Sequence, residues 1–112
     1  MGVVDATKET FDDLVGSGLV LVDVWAQSCH PCVALSPHMT SIADANQDLT
    51  VVKLDASKAR RLCMSLQVRG LPTILLFHDG QEVDRISDPS LAADQVDTWL
   101  AGALAKLPTK EA

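Results

Sequence analysis

Two cysteines stand two residues apart in "SCHPCV" (28–33), with His30 and Pro31 between them. A Cys-x-x-Cys pair can ligate a metal, staple a fold or exchange electrons as a dithiol. The chain has three cysteines, and an odd number does not suit a disulfide-stapled secreted scaffold. A zinc or iron–sulfur site needs four ligands, usually from two such pairs. Only Cys63, His30 and His38 stand by to complete one, so metal is the weaker reading. A purely structural pair is weaker too, and the place of the pair in the fold bears on it.

The elements around the pair are legible from pattern. "VVDAT" (3–7) reads as a short strand, and Phe11, Leu14 and Val15 form a small helical stripe that "GSG" (16–18) ends. "LVLVDVW" (19–25) and "LTVVKLD" (49–55) are almost continuously apolar, as strands covered on both faces are. A helix is predicted from about Pro31, since proline suits a first helical turn. Val33, Leu35, Met39, Ile42 and Ala43 carry its apolar pattern past Pro37, which should bend the helix and not end it. A further helix is expected over 57–67, with Ala59, Leu62, Cys63 and Leu66 on one face. "TILLF" (73–77) and "EVDRI" (82–86) flank an Asp-Gly hairpin turn. The last helix is predicted over roughly 90–106, burying Val96, Trp99, Leu100, Ala103 and Leu107, with Asp88 or Ser90 as its cap. The order β-α-β-α-β-α-β-β-α implies an α/β fold, a mixed central sheet with helices on both faces.

On this map "SCHPCV" lies where the first central strand hands over to a helix, the place where open α/β sheets hold their chemistry. A merely structural pair has no reason to sit there. With Pro31 in the first turn, Cys29 lies just outside the helix, and the free N–H groups of that turn favour its thiolate. Cys32 lies one turn further in. An exposed attacker and a shielded resolving thiol are what thiol–disulfide exchange requires. Cys63 falls on an apolar stripe and reads as a small core residue; His38 and His78 read as solvated.

Two charges look misplaced. Asp23 interrupts an apolar strand, and a buried carboxylate is costly unless paired or protonated, so its pKa should rise. Lys53 interrupts another strand. If the strands are neighbours it can share the burial of Asp23; otherwise its stem is buried and its amine reaches water. Pro72 opens the run "TILLF", where proline is tolerated, and its isomer is not readable from that position.

The composition narrows the partners. The chain has 112 residues, 47 % of them apolar, which suits one domain over residues 1–112 with an ordinary core. Its net charge of -6 argues against nucleic acid and anionic membrane as main partners. The N-terminus "MGVVDATKETFDDL" lacks the features of a signal peptide, and "GLVLVDVWA" is too short to span a bilayer. The expectation is therefore a cytoplasmic protein.

These residues carry a family resemblance. Asp23 six residues before Cys29, the Asp-x-Trp-Ala lead, Cys-x-Pro-Cys, Pro37 five residues after Cys32, Lys-Leu-Asp (53–55), Val-Arg-Gly-x-Pro-Thr (68–73) and Asp79-Gly80 together resemble thioredoxin over nearly the whole chain. The resemblance implies a thioredoxin fold and reduction of protein disulfides by Cys29 as nucleophile and Cys32 as resolving thiol. It implies that Asp23 helps deprotonate Cys32, with Lys53 tuning it. It also implies a cis Pro72 against the disulfide, a substrate segment paired with the backbone of Gly70 and Leu71, and Trp25 as floor of the site, with His30 and Pro31 at its rim. No bound cofactor or metal is implied beyond the redox-active disulfide Cys29–Cys32. The expected partners are disulfide-containing proteins and an NADPH-dependent flavoprotein thioredoxin reductase, and the expected state is a monomer. The sequence departs from the family at Ser28, usually tryptophan; at His30, usually glycine; at Val33, often lysine; and at Pro89, usually glycine. These departures bear on partner choice and potential. A more oxidising oxidase or isomerase, and a metal-binding or scaffolding module on the same fold, are the alternative functions.

Overall fold

β2 (Leu19–Trp25) and β3 (Leu49–Asp55) are the centre of the molecule because their side chains are apolar on both faces and must be covered twice. The computed structural model describes residues 2–107, so the single domain expected over 1–112 extends past the described residues at both ends. In chain order the remaining elements are β1 (Val3–Ala6), α1 (Phe11–Val15), α2 (His30–Ala45), a 3-10 turn (Ala56–Lys58), α3 (Arg60–Ser65), β4 (Thr73–His78), β5 (Gln81–Ser87) and α4 (Ala93–Ala105). The five strands form one sheet in the order β1-β3-β2-β4-β5. β1, β3 and β2 run parallel; β4 is antiparallel to β2, and β5 to β4. This is the mixed sheet that the order of elements predicts.

The two faces of the sheet bury separate cores. On one, Leu21, Val51, Ile74 and Leu76 meet Leu35, Met39 and Ile42 of α2 and Val96, Leu100 and Ala103 of α4. On the other, Val20, Val22, Val24, Val52, Leu54 and Leu75 meet Phe11 and Val15 of α1 and Cys63 of α3. Each such fully buried aliphatic side chain contributes about 1.5–3 kcal/mol relative to exposure. Strand alternation then assigns the misplaced charges: Asp23 shares a face with Leu21, and Lys53 with Val51, so both lie under α2.

The structure shifts several expected boundaries. α2 begins at His30, one residue before Pro31, and runs on through the exposed Pro37. The hydroxyls of Thr40 and Ser41 donate back to the carbonyls of Ser36 and Pro37 in that stretch. Val33, expected on the apolar face, is 49 % exposed; the buried residues of α2 are Cys32, Leu35, Met39, Ile42 and Ala43. The helix expected over 57–67 is shorter. A 3-10 turn capped by Asp55 precedes it, Ala59 breaks the path with φ −142° and ψ 48°, and Gln67 at φ 60° follows it. α4 starts at Ala93, capped by neither Asp88 nor Ser90. Asp88 instead closes a turn by accepting from the Ser90 N–H at 2.8 Å, and the Ala92 N–H donates to Gln95 Oε1 at 2.9 Å.

Candidate functional site

β2 ends at Trp25, and four residues later Cys29 is the N-cap of α2, in extended backbone with φ −96° and ψ 101°. The first turn of a helix has N–H groups without intrahelical partners, and one of these, on Cys32, points at Cys29 Sγ from 3.3 Å. The two cysteines form a disulfide with their Cα atoms 5.3 Å apart. Their surroundings differ as the helix requires. Cys29 is half-buried at the rim, while Cys32, on the inner face of the first turn, is 1 % exposed. His30 is exposed beside Cys29 and Pro31 is half-buried.

On the sheet face covered by α2 stands a carboxyl group. Asp23 is 1 % exposed, and neither of its oxygens has a hydrogen-bond partner. Burial pushes its pKa from 3.8 up to about 6, and the positive charge of Lys53 offsets part of that rise. Lys53 is its register partner on β3, as expected for neighbouring strands. The lysine ammonium does not bond the carboxylate, however. It donates to Ser36 Oγ at 2.7 Å and lies 4.7 Å from the centre of the Trp25 ring. Ser36 is a contact the sequence reading missed, although its spacing four residues after Cys32 puts it on the same side of α2.

The Leu71–Pro72 peptide is cis, as the resemblance implies. The segment before it is pinned from below: the buried Thr73 donates to the Gly70 carbonyl at 2.6 Å and bonds Ser87 Oγ at 2.8 Å. Among the described residues no backbone hydrogen bond outside the helices and strands engages Leu71. Cys63 is buried and free, and burial, with the charge of Asp55 adding to it, pushes its thiol pKa up. A raised pKa disfavours the reactive thiolate. Among the described residues no three His, Cys, Asp or Glu side chains gather as a metal site.

A family model described as Thioredoxin matches residues 2–101. The chain belongs to the thioredoxin family. The thioredoxin of Acetoanaerobium sticklandii is 40 % identical over 96 residues, covering 83 % of this chain and 91 % of its own length. The thioredoxin of Chlamydia trachomatis is 38 % identical over 79 residues, covering 70 % and 78 %. Among solved structures, a mutant thioredoxin from Halobacterium salinarum superposes with a TM-score of 0.81 at 27 % identity, covering 96 % of this chain and 95 % of that one. A chain from the crystal structure of a ferredoxin:thioredoxin reductase and thioredoxin f2 complex gives a TM-score of 0.83 at 23 % identity, covering 92 % and 96 %, a likeness of fold. The protein has the thioredoxin fold and is a thiol–disulfide oxidoreductase that works by dithiol–disulfide exchange.

Proposed function

We propose that the protein reduces protein disulfides as a single-domain monomer, with Cys29 as attacking and Cys32 as resolving thiol. The observation that carries this is the asymmetry of the pair: Cys29 caps a helix at the rim and receives the Cys32 N–H, and Cys32 is buried. The Cys29 thiolate attacks one sulfur of the substrate disulfide. That S–S bond breaks, the other substrate sulfur leaves as a thiolate and takes a proton, and a mixed disulfide remains. Cys32 then gives its proton to the Asp23 carboxylate and attacks Cys29 Sγ. The Cys29–Cys32 bond forms and the second substrate thiolate departs, so the substrate gains two electrons and the enzyme pair is oxidised. A group near 6 is well placed to exchange a proton at neutral pH. Lys53 tunes Asp23 by its charge. Trp25 with His30 and Pro31 borders the attacking sulfur, and the backbone of Gly70 and Leu71, beside Pro72, pairs with an extended substrate segment.

The oxidised pair is returned to the dithiol by an NADPH-dependent flavoprotein thioredoxin reductase in the cytoplasm. Reductase partnership is supported in general terms by the neighbour solved in a complex of reductase and thioredoxin. The test is insulin reduction with dithiothreitol as electron donor. Cys29→Ser abolishes turnover, Cys32→Ser accumulates a mixed disulfide with substrate, and Cys63→Ser keeps nearly full activity. Loss of activity in folded Cys63→Ser protein would overturn the assignment. Redox equilibration against glutathione separates a reductase from a more oxidising oxidase or isomerase.

A further inference from the structure

The register of the parallel strands sets Asp5 of β1, Lys53 of β3 and Asp23 of β2 in one row. Adjacent strands lie about 4.8 Å apart, so a lysine stem can take its ammonium to a carboxylate on either side. It goes to neither. No ion pair among the described residues joins Lys53 to Asp5 or Asp23. The ammonium is held at Ser36 Oγ, 2.7 Å away, above the Trp25 ring. The buried Asp23 carboxyl is left without a hydrogen-bond partner beside a lysine at the paired position of the neighbouring strand.

We propose that Ser36 is a positioning residue: its hydroxyl tethers the Lys53 ammonium to α2, off the Asp23 carboxyl, and so keeps that carboxyl free to take up and release a proton. The inference rests on the reading that Asp23 accepts the Cys32 proton. The physical contrast is simple. A carboxylate locked in a buried ion pair is a weak base, because the partner favours its charged form. A carboxylate with the same cation nearby but bonded elsewhere feels the field and keeps its lone pairs. The groups facing Asp23 are few. On the buried side of α2 lies Cys32, whose disulfide does not titrate in this state, and Ser36 of the same helix holds the Lys53 ammonium. β3 contributes Lys53, with the exposed Asp5 of β1 beyond it, and β4 places the apolar Ile74 opposite. Leu21 and Trp25 flank Asp23 on its own strand face. Lys53 is thus the charge that acts on Asp23, and Ser36 is what fixes where it sits.

The experiment is a carbon-13 NMR titration of the Asp23 carboxyl in the oxidised protein, where Cys29 and Cys32 are silent. It compares the parent with Ser36→Ala, Ser36→Thr, Lys53→Met and the Ser36→Ala/Lys53→Met double variant. Alanine is a better helix former than serine, so the variant keeps the helix. In Ser36→Ala the freed ammonium moves onto the carboxylate, and the midpoint falls by about one pH unit, the low end for a close opposite charge. Ser36→Thr keeps the hydroxyl and the parent midpoint. Lys53→Met raises the midpoint, and adding Ser36→Ala to it changes nothing further. An unmoved midpoint in Ser36→Ala, or the same fall without Lys53, overturns the tether. The pH profile of insulin reduction by the same variants tests the other reading separately. If the carboxyl shifts as stated and the profile does not follow it, the proton role of Asp23 fails while the positioning by Ser36 stands.

Discussion

Cys29 and Cys32 are the same residue in different surroundings, and the surroundings decide their order of action. One sits at a helix entrance, where the Cys32 N–H donates to its sulfur, and the other is buried on the inner face of the first turn of α2. His30 brings a side chain able to carry a positive charge where the family usually has glycine. It is exposed and directly follows Cys29. An imidazolium there stabilises the thiolate, which exists only in the reduced form, and so makes the couple more oxidising. The positive end of the α2 dipole opposes the cation weakly, by about 0.3–1 kcal/mol. One pKa unit on the thiol is equivalent to ~30 mV for a two-electron couple, an upper bound at an exposed site screened by salt. His30→Gly is therefore expected to move the potential in the negative direction by up to ~30 mV at pH 6. The difference should shrink at high salt, which screens charges at an exposed site. Redox equilibration of parent and variant at low and high salt checks this; an unchanged potential at low salt would leave His30 as a contact for substrate alone.

Elements were legible where pattern and turn chemistry agree. The β4–β5 hairpin is the clearest case. Asp79 and Gly80 form its two-residue turn with φ 50° and 87°, the left-handed pair that the twist of a hairpin favours. The Asp79 carboxylate also accepts from the Gly18 N–H at 2.7 Å, fastening the turn to the entrance of β2. Asp79→Ala removes that bond and leaves a Cβ residue that tolerates the left-handed region less well. The expected loss is ~1–2 kcal/mol in urea unfolding, and Asp79→Asn should recover most of it. Where local signals compete, the sequence is ambiguous. Asp88 and Ser90 look like caps for α4, yet they bond one another in a turn, and the helix waits for Gln95 to reach back to Ala92. Val33 fits an apolar spacing that the first turn of α2 does not follow, because the inner position there belongs to Cys32. Within the site, the cysteine pair, the odd buried Asp23 and its neighbour Lys53 announce themselves by residue type. The Ser36 tether does not, since a serine on a helix has no signature until the lysine's path across the sheet is known.

The whole molecule bears the cost of keeping a carboxyl group inside its sheet. Asp23 has a folded pKa of about 6 against an ordinary 3.8, chiefly through desolvation, with Lys53 relieving part of it. A carboxyl whose pKa is raised by folding destabilises the fold once it must ionise. The cost is absent below the unfolded value, grows between pH ~4 and ~6, and is complete above the folded value. Two pKa units correspond to roughly 3 kcal/mol, a large part of the ~5–15 kcal/mol that holds a domain of this size together. Asp23→Ala removes the carboxyl, keeping only the Cβ as a methyl group, and leaves a small void that offsets some of the gain. The variant is therefore expected to exceed the parent by ~1–3 kcal/mol at pH 8, by less at pH 6, and by little at pH 4. Urea unfolding of the oxidised proteins at these three pH values measures the difference. A variant less stable than the parent at pH 8, or an advantage that is the same at all three, would mean that the buried carboxyl carries no such cost.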